Sequence, residues 1–197
     1  MTRGEEQLAR LRMRFSLLRP LADDSVAPTT LRQPWQRAAV LIPLIMRTEG
    51  LQVLLTLRSP HLRHHPGQIS FPGGRHDAQD HSLAATALRE THEELGIPPH
   101  AVHLLGQLPP HRTHSGFMVT PYLGLLTSPL DLQPAPDEVA AAFSVPLAPL
   151  LETKAYGQWP VTRSGQRQTV YGMVLSGHLI WGATARMLWQ LATQIAD

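Results

Sequence analysis

The chain has 197 residues, 43% of them apolar and 16% charged, which is enough for one domain with its own core and excludes a disordered or fibrous protein. Lys+Arg at 17 against Asp+Glu at 15 gives a formal net charge of +2, too even for general nucleic-acid binding, and the absence of cysteine excludes disulfides, thiol catalysis and thiolate-held metals. No apolar run reaches the roughly 18 residues of a membrane span, and the N-terminus lacks the apolar core of a signal peptide, so a soluble cytoplasmic protein is expected.

In chain order, Leu8, Leu11, Phe15 and Leu18 recur at helical spacing and predict a short helix that stops at Pro20. Residues 20–34, with Pro20, Pro28 and Pro34, read as a loop. Residues 1–34 are thus expected to be an N-terminal helix and linker-like extension, and residues 35–197 the main domain. Ala38 to Ile45 and Leu51 to Leu57 are strand-like runs divided by a turn at Glu49-Gly50, and Gln68-Ile69-Ser70-Phe71 alternates as a half-buried strand leading into Pro72-Gly73-Gly74. A helix follows over about 82–95, ended by Gly96, Pro98 and Pro99. Val102 to Leu108 and Phe117 to Leu126 are further strands, 129–149 is a Pro-rich stretch, a hairpin centres on Ser164-Gly165, and Thr184 to Ile195 is an amphipathic helix. Strands and helices mix without a regular βαβ period, so the expected class is α+β, a helix-flanked mixed sheet.

The chemistry-bearing residues crowd the middle of the chain: Glu90, Glu93 and Glu94 lie within five positions, and ten of the eleven histidines lie between His61 and His114. Ser82 or Asp80 can cap the central helix. At about 100° per residue, the three glutamates share an arc of roughly 100°, while Ala84, Leu88, Thr91 and Leu95 form a stripe about 140° away. The helix is expected to bury that stripe and turn the carboxylates to a cleft. Carboxylates at these spacings repel, and a hard divalent cation would remove the repulsion. Arg89 is placed to hold one of them, and a backbone carbonyl at Gly73-Gly74 would complete a metal shell, Gly74 being the candidate. Taken alone, Glu-x-x-Glu-Glu is also the pattern of a solvated helix face; the glycine turn just before it favours a site.

A strand, a glycine turn and an acidic helix in this order resemble the Nudix box, and Arg89-Glu90-Thr91-His92-Glu93-Glu94-Leu95-Gly96-Ile97 matches its most specific half, with Thr91 where a larger apolar residue is usual. The loop before it is one residue longer than the general box, and Asp80 stands for its early glutamate. Leu54 to Gly74, including Arg58-Ser59-Pro60, Arg63, Gly67-Gln68 and Phe71-Pro72-Gly73-Gly74, is similar to the signature of the bacterial coenzyme A pyrophosphatases, a subgroup that commonly carries this longer loop.

The resemblance implies an α/β/α sandwich with a mixed sheet, dependence on Mg²⁺ or Mn²⁺, and hydrolysis of coenzyme A to 3′,5′-ADP and 4′-phosphopantetheine. It implies Glu90 and Glu94 as principal metal ligands and catalytic groups, and Glu93 as a further ligand or the base for the attacking water. Arg58, Arg63 and Gln68 are the expected substrate-binding residues, since a ligand with several phosphates calls for several donors. His111, Arg112, Thr113 and His114 form a second polar loop, and Glu138 is an alternative base. The expected partner is a small-molecule nucleotide, with no nucleic acid or membrane and with a homodimer left open. Hydrolysis of another nucleoside diphosphate derivative, such as ADP-ribose or a dinucleotide, is the alternative activity; a non-catalytic Nudix-like binding domain is a third reading.

Overall fold

The computed structural model describes residues 2–18, 35–113, 115–127, 131–163 and 166–195. The expected linker 20–34, His114 and the turn Ser164-Gly165 lie outside them. The chain opens with α1 (Arg3–Leu18), then β1 (Gln36–Arg47), β2 (Gly50–Arg58), β3 (Ile69–Ser70), β4 (Gly73–Arg75) and α2 (Leu83–Leu95). It continues through β5 (Val102–Gln107), β6 (His111–Arg112), β7 (Phe117–Leu126), β8 (Val139–Pro146) and α3 (Leu147–Leu150). The last elements are β9 (Gly157–Arg163), β10 (Gln166–Leu175), β11 (His178–Trp181) and α4 (Ala183–Ile195).

The main sheet runs β3-β2-β1-β7-β5, with β4 paired to β1, β6 to β7 and β8 to β2. β1 and β7 are parallel from Gln36↔Phe117 to Ile45↔Leu126, while the other pairs are antiparallel, so the sheet is mixed. Alternation along β1 explains how it fills two cores: Ala38, Ile42 and Leu44 point to one side, Ala39, Leu41 and Ile45 to the other. On the second side lie Leu83, Ala87 and Leu95 of α2. On the first lie Leu8 and Leu11 of α1, Leu188 and Leu191 of α4, and Tyr171, Met173 and Ile180 of a small antiparallel sheet ordered β11-β10-β9. The result is the expected α+β sandwich, helices on both faces of a mixed sheet. Among the described residues, no helix is long and apolar enough to cross a membrane.

Three expectations change. The Pro-rich 129–149 stretch holds β8 and α3, because its prolines sit before the strand, at its end and in the helix, leaving Val139 to Val145 free to pair with Val53 to Arg58. The hairpin gains a third strand, β11. The buried stripe of α2 is Leu83, Ala87, Thr91 and Leu95, with Thr86 and Glu94 also buried, whereas Ala84 and Leu88 are only half-buried. The helix is rotated so that Glu94, at 3% exposure, lies on its inner side.

Candidate active site

Ser82, not Asp80, caps α2: its hydroxyl accepts from the Ala85 N–H at 3.1 Å, and Gly96 closes the helix in the left-handed region at φ 72°. Asp80 is thereby available to Arg89, which donates from Nε to Oδ1 at 2.9 Å and from Nη2 to Oδ2 at 3.0 Å. The same guanidinium meets Glu90 at 3.0 Å, Glu93 at 2.9 Å and the Arg75 carbonyl at 3.2 Å. Thr86 donates to Asp80 at 2.9 Å and lies 2.9 Å from the His76 ring. Arg89 therefore ties the loop before α2 to the helix's acidic side, and its guanidinium holds the Asp80 carboxyl well below the usual carboxylate range.

The glycine turn makes room for this arrangement. Gly73 has φ 151°, and a Cβ there would stand 2.4 Å from the Ala39 carbonyl. A Cβ on Gly74 would come within 2.5 Å of the Glu90 carboxyl carbon. Gly74 pairs with Ala39 in the ladder, so the Glu90 carboxylate rests directly on the β4 backbone. The Gly73 backbone amide acts on the Glu94 carboxylate and favours its ionised form.

Glu94 carries the strongest electrostatic distortion of the cluster. Burial drives its pKa to about 8, with Glu138 and Glu90 pushing the same way and the charge of Arg58 and the Gly73 N–H opposing. Glu90 is also raised, chiefly by burial, with Arg89 opposing and Glu93 and Glu138 adding to the rise. A buried carboxylate, Glu94, and a half-buried one, Glu90, whose charge raises the pKa of the first, form a donor set suited to a hard divalent cation, and the missing Cβ of Gly74 is what lets the Glu90 carboxylate lie against β4. Glu93 is the outer member: its side chain is 54% exposed and bound by Arg89. Among the described residues, no three His, Asp or Glu groups converge closely enough to hold a metal ion as they stand. The histidines do not add to the glutamate cluster. His61, His64, His65 and His92 are exposed.

The substrate-binding candidates divide. Arg58 ends β2 with its Nε buried and without a hydrogen bond, and its charge acts on Glu94. Gln68 closes the loop: its carbonyl accepts from the Arg58 N–H at 2.9 Å, and its side-chain oxygen lies 2.9 Å from the ring of His65, itself left-handed at φ 56°. Arg63 is exposed on the same loop. Of the second polar loop, the Arg112 guanidinium lies over Trp35 at 5.8 Å.

Glu138, named from the sequence as an alternative base although a charge at the start of a loop is the simpler reading of its context, acts electrostatically on Glu90 and Glu94. The Ala135 N–H donates to the Glu94 carbonyl at 2.9 Å, Gln133 N–H to Leu95 at 2.9 Å, and Ser59 N–H to the Glu138 carbonyl at 2.8 Å. These bonds dock residues 133–138 on the end of α2 and bring a fourth carboxylate into the field of Glu90 and Glu94. A cavity of about 370 Å³ on the other flank of α2, lined by Asp80, Ala84, Leu88 and Leu104, is separate from the glutamates.

Residues 35–164 match the NUDIX domain family. The chain is 46% identical over 168 residues to the uncharacterized Nudix hydrolase NudL of Photorhabdus laumondii, covering 85% of this chain and 89% of that one. It is 45% identical over 183 residues to the NudL of Salmonella heidelberg, covering 92% and 91%. Two solved structures share the fold: a MutT/nudix family protein from Enterococcus faecalis, with TM-score 0.51 and 17% identity over 96% of this chain and 74% of that one, and a C. elegans Ap4A hydrolase binary complex, with TM-score 0.50 and 22% identity over 56% and 80%.

Proposed function

The chain belongs to the Nudix hydrolase family and is a Nudix diphosphatase; on that footing we propose that it cleaves the diphosphate of coenzyme A or its derivatives, giving 3′,5′-ADP and 4′-phosphopantetheine, with Mg²⁺ or Mn²⁺. The observation that carries this reading is the join of two segments. The stretch from Leu54 to Gly74, similar to the coenzyme A pyrophosphatase signature, ends against the box helix, with Gly74 under Glu90 and Arg58 acting on Glu94.

Glu90 and Glu94 would hold the cation, with Glu93 and the Gly74 carbonyl as further ligands. When bound, the metal neutralises the diphosphate and makes water a better nucleophile. The chain's own residues do the remainder. Arg89 fixes Glu90 and Glu93 against Asp80 and keeps the helix in register with the glycine turn. Arg58, whose Nε has no protein partner, meets a phosphate oxygen; Arg63 and Gln68 complete the contact from the same loop. The base that accepts the water's proton is Glu93 or Glu138. The field that Glu138 exerts on Glu90 and Glu94 supports the latter, while the bond of Glu93 to Arg89 fits a guiding or ligand role; both side chains are exposed.

The test is mass-spectrometric identification of products from coenzyme A with Mg²⁺ and with Mn²⁺, for the wild type and Glu94→Gln. Formation of 3′,5′-ADP by the wild type and its loss in the variant is the expected result. Turnover of coenzyme A no faster than of ADP-ribose would overturn the substrate assignment while leaving the diphosphatase in place.

A further inference from the structure

The small sheet has an outer face that the core does not use. Along β10, Tyr171 and Met173 point inward at 7% and 6% exposure, so Val170, Gly172 and Val174 point outward by alternation. Cross-strand register extends that face: Val170 pairs with Trp159, Gly172 with Gly157 and Trp181, and Val174 with Leu179. Trp159 is 53% exposed, Val174 70%, Leu179 56% and Trp181 46%. From Gln168 to Val174 and across their partners, no side chain on this face carries a charge. The surface is also level. A Cβ on Gly157 would stand 2.5 Å from the Trp159 ring and one on Gly172 3.1 Å from it, so the indole lies flat across both glycines.

We infer that this face docks a second copy of the chain, sheet on sheet, with Trp159, Val174, Leu179 and Trp181 at the centre of the contact. The four side chains expose about 450 Å² of largely apolar surface, the size of the largest apolar patch on a typical soluble protein, which is often functional. Two copies face to face hide about 900 Å² from these residues alone, against roughly 1,200–2,000 Å² for a stable interface, and half-buried Val161, Gln168 and Val170 add to it.

Contact through the face is favoured over strand addition at the edge. β9 is an edge strand and carries Pro160, which has no N–H to offer a further strand. An uncharged face also lacks the charged groups by which an unlike partner is usually selected, whereas a two-fold pairing needs only that the surface match itself. Two sheets stacked about 10 Å apart satisfy that condition. The inner side of the same sheet packs on α4, and β11 leads into α4, whose Thr184 hydroxyl donates to the Ile69 carbonyl at 2.9 Å, two residues before Phe71 and the glycine turn. The interface therefore buttresses the active-site strand from outside without entering the cleft.

The experiment is sedimentation equilibrium of the full chain across micromolar concentrations, for the wild type, Val174→Glu and Leu179→Glu, with circular dichroism to confirm that each variant folds. A two-copy mass for the wild type, with association weakened about 100-fold or more by either glutamate through like charges brought together, is the expected result. A wild type that stays single-copy throughout, or a dimer that both folded variants retain, overturns the assignment. Acrylamide quenching of the wild type supplies a readout without mutation: Trp159 and Trp181 become accessible on dilution if they lie in the interface, and quenching independent of concentration overturns it.

Discussion

Arg89 and Asp80, nine residues apart, are joined by two hydrogen bonds, Nε to Oδ1 at 2.9 Å and Nη2 to Oδ2 at 3.0 Å. The pair fixes the long loop before α2 to the helix that bears the glutamates, and the Asp80 side chain is 6% exposed against 32% for Arg89. Lysine cannot reproduce the planar fork, so Arg89→Lys leaves a nearly buried carboxylate with a single flexible donor. Partial exposure of the arginine moderates the loss, which should be about 2–3 kcal/mol. The melting temperature of Arg89→Lys should fall by roughly 6 °C, and turnover should fall with it because Glu90 and Glu93 lose their anchor. An unchanged melting temperature would show that Asp80 is satisfied by Thr86 and the Asp77 N–H alone.

Gly74→Ala tests the close approach of β4 to Glu90. The added methyl would stand 2.5 Å from the Glu90 carboxyl carbon, with β4 held to β1 behind it, so the carboxylate must swing off its place against β4. A shift of about 1 Å in a metal ligand is worth roughly 100-fold in rate. The variant should fold, show a weaker metal-induced rise in melting temperature, and lose turnover by about that factor. Wild-type kcat in a folded Gly74→Ala would remove Glu90 from the site.

Glu138→Gln and Glu93→Gln separate the two candidate bases. A group that takes the water's proton is worth about 10²–10⁴-fold, and its loss lowers kcat while leaving KM little changed. Glu138→Gln should show the larger loss, because Glu138 carries a charge that acts on Glu94 while the Glu93 carboxylate is engaged by Arg89. Near-normal turnover of Glu138→Gln would eliminate it and return the role to Glu93.

The central helix was legible because its signals are local. Alanine and leucine favour helix, Ser82 and Gly96 cap it, and the acidic spacing needs no tertiary information. Its rotation was not. Choosing Ala84, Leu88, Thr91 and Leu95 as the buried stripe assumed that carboxylates stay outside, and the glycine turn defeats that assumption by offering the Gly73 N–H to Glu94 and a bare backbone to Glu90. β8 was hidden by its flanking prolines, since a strand whose partner is more than 80 residues away leaves only a weak period-two pattern. Glu138 was legible as a candidate only through the family resemblance; its position beside α2 was not, because it depends on bonds from residues 133–135 to the end of the helix, which no spacing rule reports.

The pH dependence of stability follows from the opposed shifts of Glu94 and Asp80. In the metal-free protein, Glu94 binds its proton up to about pH 8 when folded but releases it near the ordinary carboxyl value when unfolded. Between those limits the native state holds more protons, so stability contributed by Glu94 is present at low pH and lost as pH rises through about 8. Glu90, raised chiefly by burial, acts in the same direction. Asp80 acts oppositely: its stabilisation is present above the ordinary carboxylate range and is lost only in strong acid. Metal-free protein should therefore be most stable near pH 5 and should weaken towards pH 8. A divalent cation favours the ionised carboxylates, so millimolar Mg²⁺ should raise the melting temperature more at pH 8 than at pH 5, and its binding should release protons between them. Thermal melts in chelator and in Mg²⁺ across this range, with calorimetry in buffers of different ionisation enthalpy, measure both effects. A chelated protein whose melting temperature rises steadily from pH 5 to pH 8 would mean that Glu94 ionises like a solvated carboxylate, and the buried cluster would then be wrong in its electrostatics.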